Sequence, residues 1–197
     1  MNVQLQSALQ WWTRFLKEYR PRSFDCNVRS AHHVISYSDG EGGEGGVGAA
    51  LWFAHDRPPV AGFLKVPTSI RKLWRVQKDR TYRDIFELEA IAPLLILERW
   101  GAEYMADCLW THYIDNDGSL AALIRGSSSV YSGDCIVGLT WQLCSDLRIA
   151  PWFERVESSA NPLDGLSRGR REGPWKSIVD FKVSRKRQDL LSQYGFE

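Results

Sequence analysis

HHVISYSDGEGGEGGVGAALWFA, residues 32–54, is the stretch on which the fold turns. His32–Asp39 is a short β-rich run that ends in an acid, Glu41–Gly48 is glycine-rich, and GVGAALWFA (46–54) reads as a second strand. VAGFLKV (60–66) is a third, and His55–Pro59 supplies the turn between them. Three consecutive short strands joined by turns predict a meander of antiparallel hairpins.

Ahead of the meander, residues 3–18 place Leu5, Leu9, Trp12, Phe15 and Leu16 at helical spacing, and Pro21 stops that helix. Behind it, a helix is expected from about Asp84 to Trp100, with Leu88, Ile91, Leu95 and Ile96 on its apolar side and Gly101 as its stop. Pro93 inside it removes the hydrogen bond to the Glu89 carbonyl and should bend it. CLWTHYID (108–115) reads as a strand, SLAALIRG (119–126) as a short helix, SGDCIVGLTWQLCSDL (132–147) as a helix and APWFERVE (150–157) as the last strand. NPLDGLSRG (161–169) offers Asn161 as an N-cap with proline at the first helical position. The order predicts a mixed α/β sheet with helices packed on it.

At 197 residues, 44% hydrophobic and 25% charged, the composition is that of a folded domain and excludes wholesale disorder. Cys26, Cys108, Cys135 and Cys144 form no CxxC pair, which leaves reduced, partly buried thiols rather than a zinc site. No signal peptide opens the chain and no apolar run approaches the roughly 20 residues of a membrane span, so a soluble protein of the cytoplasm or nucleus is expected. Gly43–Gly48 satisfies GxGxxG, but the run after it, AALWFA, is strand-like, and Glu41 and Glu44 would repel a pyrophosphate. A flexible connection fits better. No nucleophile-elbow sequence supports serine hydrolase chemistry.

Four acids stand where elements meet. Asp39 ends the first strand, Glu87 lies in the first turn of the long helix, Asp115 ends the fourth strand, and Asp164 lies early in the last helix. Clustered carboxylates raise one another's pKa, and a divalent cation relieves that; all-oxygen ligands suit Mg²⁺ or Mn²⁺. Two such ions about 4 Å apart can activate water and stabilise the leaving oxygen of a phosphodiester. Each acid also has a purely structural account. Asp39-Gly40 can open a tight turn, Glu87 suits a helix dipole, Asp117 competes with Asp115, and Asp164 suits a helix first turn. Glu89 lies about 200° round the helix from Glu87, so the two cannot serve one metal.

The residues resemble the RNase H domains of reverse-transcribing elements. Ser38-Asp39-Gly40 with GVGAALW after it is similar to that family's first acid and glycine turn, Glu87-Leu88-Glu89-Ala90 to its ELxA helix, and Ile114-Asp115-Asn116 to its hydrophobic-Asp-Asn/Ser strand end. Asn161–Arg168 is similar to N-x-A-D-x-L-S-R. Leu9–Leu16 resembles the W-W-x-x-F-L stretch before this domain in tyrosine-recombinase retrotransposons. The resemblance implies an RNase H-like fold with a five-stranded mixed sheet, three antiparallel strands and then two parallel ones. It also implies a ribonuclease H that hydrolyses the RNA strand of RNA·DNA hybrids with two Mg²⁺ or Mn²⁺. Asp39, Glu87, Asp115 and Asp164 would be its catalytic, metal-holding acids, and a reverse transcriptase domain could lie upstream. On this reading residues 1–22 are a leading helix, 23–170 the catalytic domain and 171–197 a basic extension. The loop histidine that many cellular relatives place before the fourth acid has no counterpart after Tyr113; Ser158 and Ser159 lie near its place.

For substrate, the basic segment Arg71, Lys72, Trp74, Arg75 and Lys78 is expected to line a phosphate track, with Asn116 and Arg168 as further contacts. A solvated surface segment is the plain alternative. Trp11, Trp12, Trp52, Trp110 and Trp141 are assigned to packing, and Trp74 to the substrate face. The net charge of +1 conceals segregation. From Arg168 onward eight Lys/Arg face four acids, a local +4 on an otherwise acidic chain. A non-catalytic nucleic-acid or partner-binding module and a DNA nuclease of the same superfold remain the competing readings.

Overall fold

The computed structural model describes residues 32–53, 57–76, 84–175 and 177–182, together with residues 6, 9, 10, 12, 13, 16 and 17. The chain divides into two compact units, residues 1–30 and 31–197. The described residues of the first are helical, and Thr13 Oγ1 donates to the Leu9 carbonyl at 2.7 Å. Leu9, Trp12 and Leu16 are half-exposed or more there.

The second unit holds one six-stranded sheet in the order β5-β4-β1-β2-β3-β6. β1 (His33–Glu41), β2 (Gly46–Phe53) and β3 (Val60–Lys65) form the antiparallel meander, with Asp39 opposite Gly48. β4 (Leu109–Ile114) runs parallel to β1, and β5 (Ala150–Arg155) parallel to β4. The sixth strand, β6 (Ile178–Asp180), was not expected. It pairs in parallel with β3 and comes from the stretch read as a C-terminal extension. Three residues are too few for a periodic signal, and what anchors them is Phe181, whose ring lies where a side chain on Gly62 would be.

Helices α1 (Thr68–Val76), α2 (Ile85–Ile96), α3 (Asp117–Arg125), α4 (Tyr131–Asp146) and α5 (Asp164–Ser167) complete the unit. α2 does not stop at Gly101. It passes into π-helical turns over Leu97–Met105, four residues beyond Pro93. α2 is buried along almost its whole length, from Glu87 to Ile96, because it fills the main core between the sheet and α4. That core faces Val34, Val47, Ala49 and Leu51 of the sheet. The opposite sheet face has a smaller cluster, in which Leu163 and Leu166 of the α5 segment pack on Ala50 and Ala61. The alternation along β2 sends Ala49 to one core and Ala50 to the other. Among the described residues no helix is long and apolar enough to cross a membrane.

The glycine run between β1 and β2 is pinned. The Glu41 carboxylate accepts the Gly43 and Glu44 amides at 2.6 and 2.7 Å, and the Arg71 guanidinium donates to the Gly42 and Gly43 carbonyls. Arg71 is itself buried and ion-paired with buried Asp84, which also accepts from Arg75 at 2.9 Å. The Asp84 carboxyl is held below its ordinary range despite its burial, since two guanidiniums stabilise the anion. Breaking a buried pair strands an uncompensated charge, so Asp84→Ala should lower unfolding free energy by about 3–5 kcal/mol in denaturant titration.

A second buried polar group lies in the sheet. His112 of β4 is fully buried, with Nδ1 at 2.8 Å from Ser36 Oγ and Nε2 at 3.1 Å from Ser38 Oγ, while Trp110 Nε1 donates to Ser36 Oγ at 2.7 Å. Burial lowers its pKa to about 3. The unfolded chain therefore binds the extra proton first as pH falls below about 6.5, and this contribution to stability rises with pH between about 3 and 6.5. The stability gap between wild type and His112→Gln should narrow as pH is lowered from 7.5 to 5 in parallel thermal melts.

Candidate metal centre

β1 and β4 are adjacent, parallel and in register, with Tyr37 beside Tyr113 and their rings stacked at 4.7 Å. Two residues further along each strand stand Asp39 and Asp115, so the same period places both carboxyls on one sheet face at the strands' C-terminal ends. α2 brings the third acid. It can lie against β1 because Gly40 has no side chain; a Cβ there would lie 3.0 Å from the Glu89 amide nitrogen and 3.1 Å from Leu88. The Gly40 amide donates to Glu89 Oε1 at 3.0 Å. One carboxylate oxygen from each of Asp39, Glu89 and Asp115 lies within 4.8 Å of the others.

Glu89, not Glu87, thus joins the two aspartates. Glu87 is buried on another side of α2 and accepts a hydrogen bond from Ser132 Oγ of α4 at 2.7 Å. The ELxA match falls on Glu87 alone, since Glu89-Ala90-Ile91-Ala92 lacks the leucine, and it is the orientation of the helix that turns Glu89 to the aspartates.

Burial pushes the Glu89 carboxyl well above its ordinary range, reinforced by the charges of Asp39 and Asp115, while the Gly40 amide opposes the shift. Asp39 is raised to about 6, first by burial, with the charges of Asp115 and Asp164 adding and the Ser167 hydrogen bond opposing. Glu89 Oε2 is buried with no hydrogen-bond partner. An orphaned carboxylate oxygen facing two further carboxylates is a costly arrangement for the protein alone. An all-oxygen set with one unsatisfied oxygen fits a hard divalent cation.

Asp164 stands at the start of α5 and its carboxylate is taken by arginine. Arg168 Nε and Nη2 donate to it at 3.0 and 2.9 Å, and Arg170 Nη2 lies 3.6 Å from its other oxygen. These pairs hold the Asp164 carboxyl below its ordinary range. The expected helix over 161–169 is shorter than its signals implied. Asn161 closes a turn by accepting the Leu163 amide at 3.1 Å, and α5 begins only at Asp164. Ser158, Ser159, Asn161, Asp164, Arg170 and Glu172 line an open cleft there.

The expected phosphate track does not survive in its original form. Trp74 is 2% exposed and packs in the main core, so it has no free face on which a base could stack. Arg71 is spent on Asp84 and the glycine turn, and Arg75 also pairs with Asp84. Lys72 is exposed, whereas Lys78 lies outside the described residues. Asn116 serves as the N-cap of α3, its Oδ1 accepting the Ser119 amide at 2.9 Å. Asp117 pairs with Arg155 and is not among the grouped acids.

No protein-family model matches the chain, and no curated protein matches it. Among solved structures, RNase H1 from the halophilic archaeon Halobacterium salinarum is similar over 66% of this chain and 89% of its own, at 15% identity and a TM-score of 0.50. The fold is that of ribonuclease H. The N-terminal RNase H domain of a Mycobacterium tuberculosis protein, solved as a fusion with maltose-binding protein, matches at 16% identity over 83% of this chain and 98% of its own, with a TM-score of 0.42. The RNase H-like sheet here departs from the expected five strands only by the addition of β6.

Differential scanning fluorimetry separates the two glutamates. Mn²⁺ should raise the melting temperature of wild type and of Glu87→Gln, whereas Glu89→Gln should show little or no response. At neutral pH without cation, Glu89→Gln should itself melt higher than wild type, because it removes a buried acid crowded by Asp39 and Asp115. The sign follows from the raised Asp39 pKa: the stability this group contributes is fully present below about 3.8 and is lost as pH rises through about 6. That slope opposes the one set by His112, and added cation should flatten it.

Proposed function

We propose that this chain is a metal-dependent ribonuclease H, an endonuclease that hydrolyses the RNA strand of RNA·DNA hybrids with two Mg²⁺ or Mn²⁺. The observation that carries the reading is the convergence of Asp39, Glu89 and Asp115 at the strand ends of an RNase H-like fold, with Glu89 Oε2 buried and unpartnered. A scaffold that merely bound nucleic acid would gain nothing from crowding three acids against burial.

Asp39, Glu89 and Asp115 would hold the cations, and Asp164 would supply a further carboxylate from the rim. Divalent cations held there would neutralise charge at the scissile phosphate and would make water acidic enough to serve as nucleophile at neutral pH. The chain's own residues do the rest. Burial of Asp39 and Glu89 excludes water from the back of the site, and the Gly40 amide orients the Glu89 carboxylate. Arg168 and Arg170, half-exposed beside Asp164, present guanidiniums to the phosphates flanking the cut. The N-x-x-D-x-L-S-R segment and the W-W-x-x-F-L stretch support the retroelement branch, with residues 1–22 leading out of a reverse transcriptase and 23–170 forming the catalytic part.

Cleavage of a labelled RNA·DNA hybrid, duplex RNA and duplex DNA tests the reading. Wild type should cut the hybrid with Mg²⁺ or Mn²⁺. Asp115→Asn should lose at least about a thousand-fold, since cation-held charge contributes several kcal/mol. Glu87→Gln should retain cutting. Preference for duplex DNA would move the chain to the DNA-nuclease reading, and cutting of no substrate would favour the binding module.

A further inference from the structure

The glycines of β2 and the hydroxyl of Ser167 take no part in holding cations or phosphate, yet they meet at Asp39. A Cβ on Gly46 would lie 1.8 Å from the Ser167 carbonyl oxygen, and one on Gly48 would lie 2.9 Å from the Ser167 amide nitrogen. β2 therefore carries a bare backbone seat at these two glycines, and the 161–167 turn sits in it. Leu163 and Leu166 fasten the turn by packing on Ala50 and Ala61 of the same sheet face.

From that seat two side chains reach Asp39. Buried Ser167 donates its hydroxyl to Asp39 Oδ2. Buried Asn161 donates from Nδ2 to the Ser38 carbonyl at 2.8 Å and to Asp39 Oδ1 at 3.3 Å, while its own Oδ1 takes the Leu163 amide. Each oxygen of Asp39 thus has a donor from the turn, and the carboxylate is fixed in rotation with Glu89 and Asp115 beside it. A donor that fixes the orientation of a ligating carboxylate tunes how it meets a cation.

We propose that Ser167, supported by Asn161 and seated by Gly46 and Gly48, is a positioning residue that sets the divalent-cation affinity of Asp39. This rests on the reading of the three acids as a metal centre. It gives the glycine run a purpose, which is to let backbone replace side chain where the turn must approach the sheet.

Mn²⁺ binding to the purified full chain, monitored by electron paramagnetic resonance without nucleic acid, tests it. Wild type should bind, and Asp115→Asn should lose binding. Ser167→Ala should bind about 10-fold or more weakly, the usual effect of removing a hydrogen bond to a ligand, and Ser167→Thr should restore most of the affinity. In hybrid cleavage, Ser167→Ala should raise the Mn²⁺ concentration needed for half-maximal rate while leaving the rate at saturating Mn²⁺ near that of wild type. Gly48→Ala, which displaces the turn without touching an acid, should weaken Mn²⁺ in the same direction. Wild-type affinity in Ser167→Ala, or in a folded Gly48→Ala, would overturn the inference while leaving the metal centre intact. Equal Mn²⁺ binding by wild type and Asp115→Asn would instead overturn the metal centre. Should Ser167→Ala fail to fold, the folded Gly48→Ala and Ser167→Thr decide: weaker binding in the first with recovery in the second supports the proposal, and wild-type binding in the first refutes it.

Discussion

Three carboxylates share one space, two of them, Asp39 and Glu89, where burial favours the neutral acid, and much of the surrounding structure serves to hold them there. α5 reaches Asp39 from one side of the sheet's strand ends and α2 brings Glu89 from the other, and backbone proximity replaces side-chain packing at both contacts. Gly40 admits the helix that carries Glu89. Gly46 and Gly48 admit the turn that carries Ser167 and Asn161. A side chain at Gly40 would press on the helix that carries Glu89, and one at Gly46 or Gly48 on the turn that carries Ser167, so the glycines shape the site as the carboxylates do.

Most of the elements were legible because their periodicities are clean. The meander, the long helix, the parallel pair and the last strand follow from alternating or helical apolar spacing and lie close to their expected bounds. β6 was not legible, since three residues carry no period and their pairing is decided by Phe181 filling the space above Gly62. The continuation of α2 past Gly101 was also hidden, because a glycine ends a helix only where the next residues can turn away, and here Trp100 and Met105 remain buried in the core.

Of the site, Asp39 and Asp115 were readable as acids near strand ends, although β1 runs on past Asp39 to Glu41. The choice between Glu87 and Glu89 was not, since the ELxA pattern points to Glu87 while the decision belongs to which side of α2 meets the strand ends. The basic segment misled for a related reason. Arg71 and Trp74 looked like a nucleic-acid surface in one dimension, but α1 turns both inward, one onto Asp84 and one into the core. Charge counts on a sequence cannot tell an arginine that waits for phosphate from one already matched by an aspartate.

The edges of the sheet bear on how the molecule behaves at high concentration. β6 is three residues long and ends at Asp180, which is paired with Arg171. At the other side β5 carries Pro151 and the charged Glu154 and Arg155. Short length, proline and charge are the devices that deny an incoming strand a template. A sheet whose interior strands are among the most apolar parts of the chain is thereby closed to growth by its least regular members, which keeps backbone pairing within one molecule.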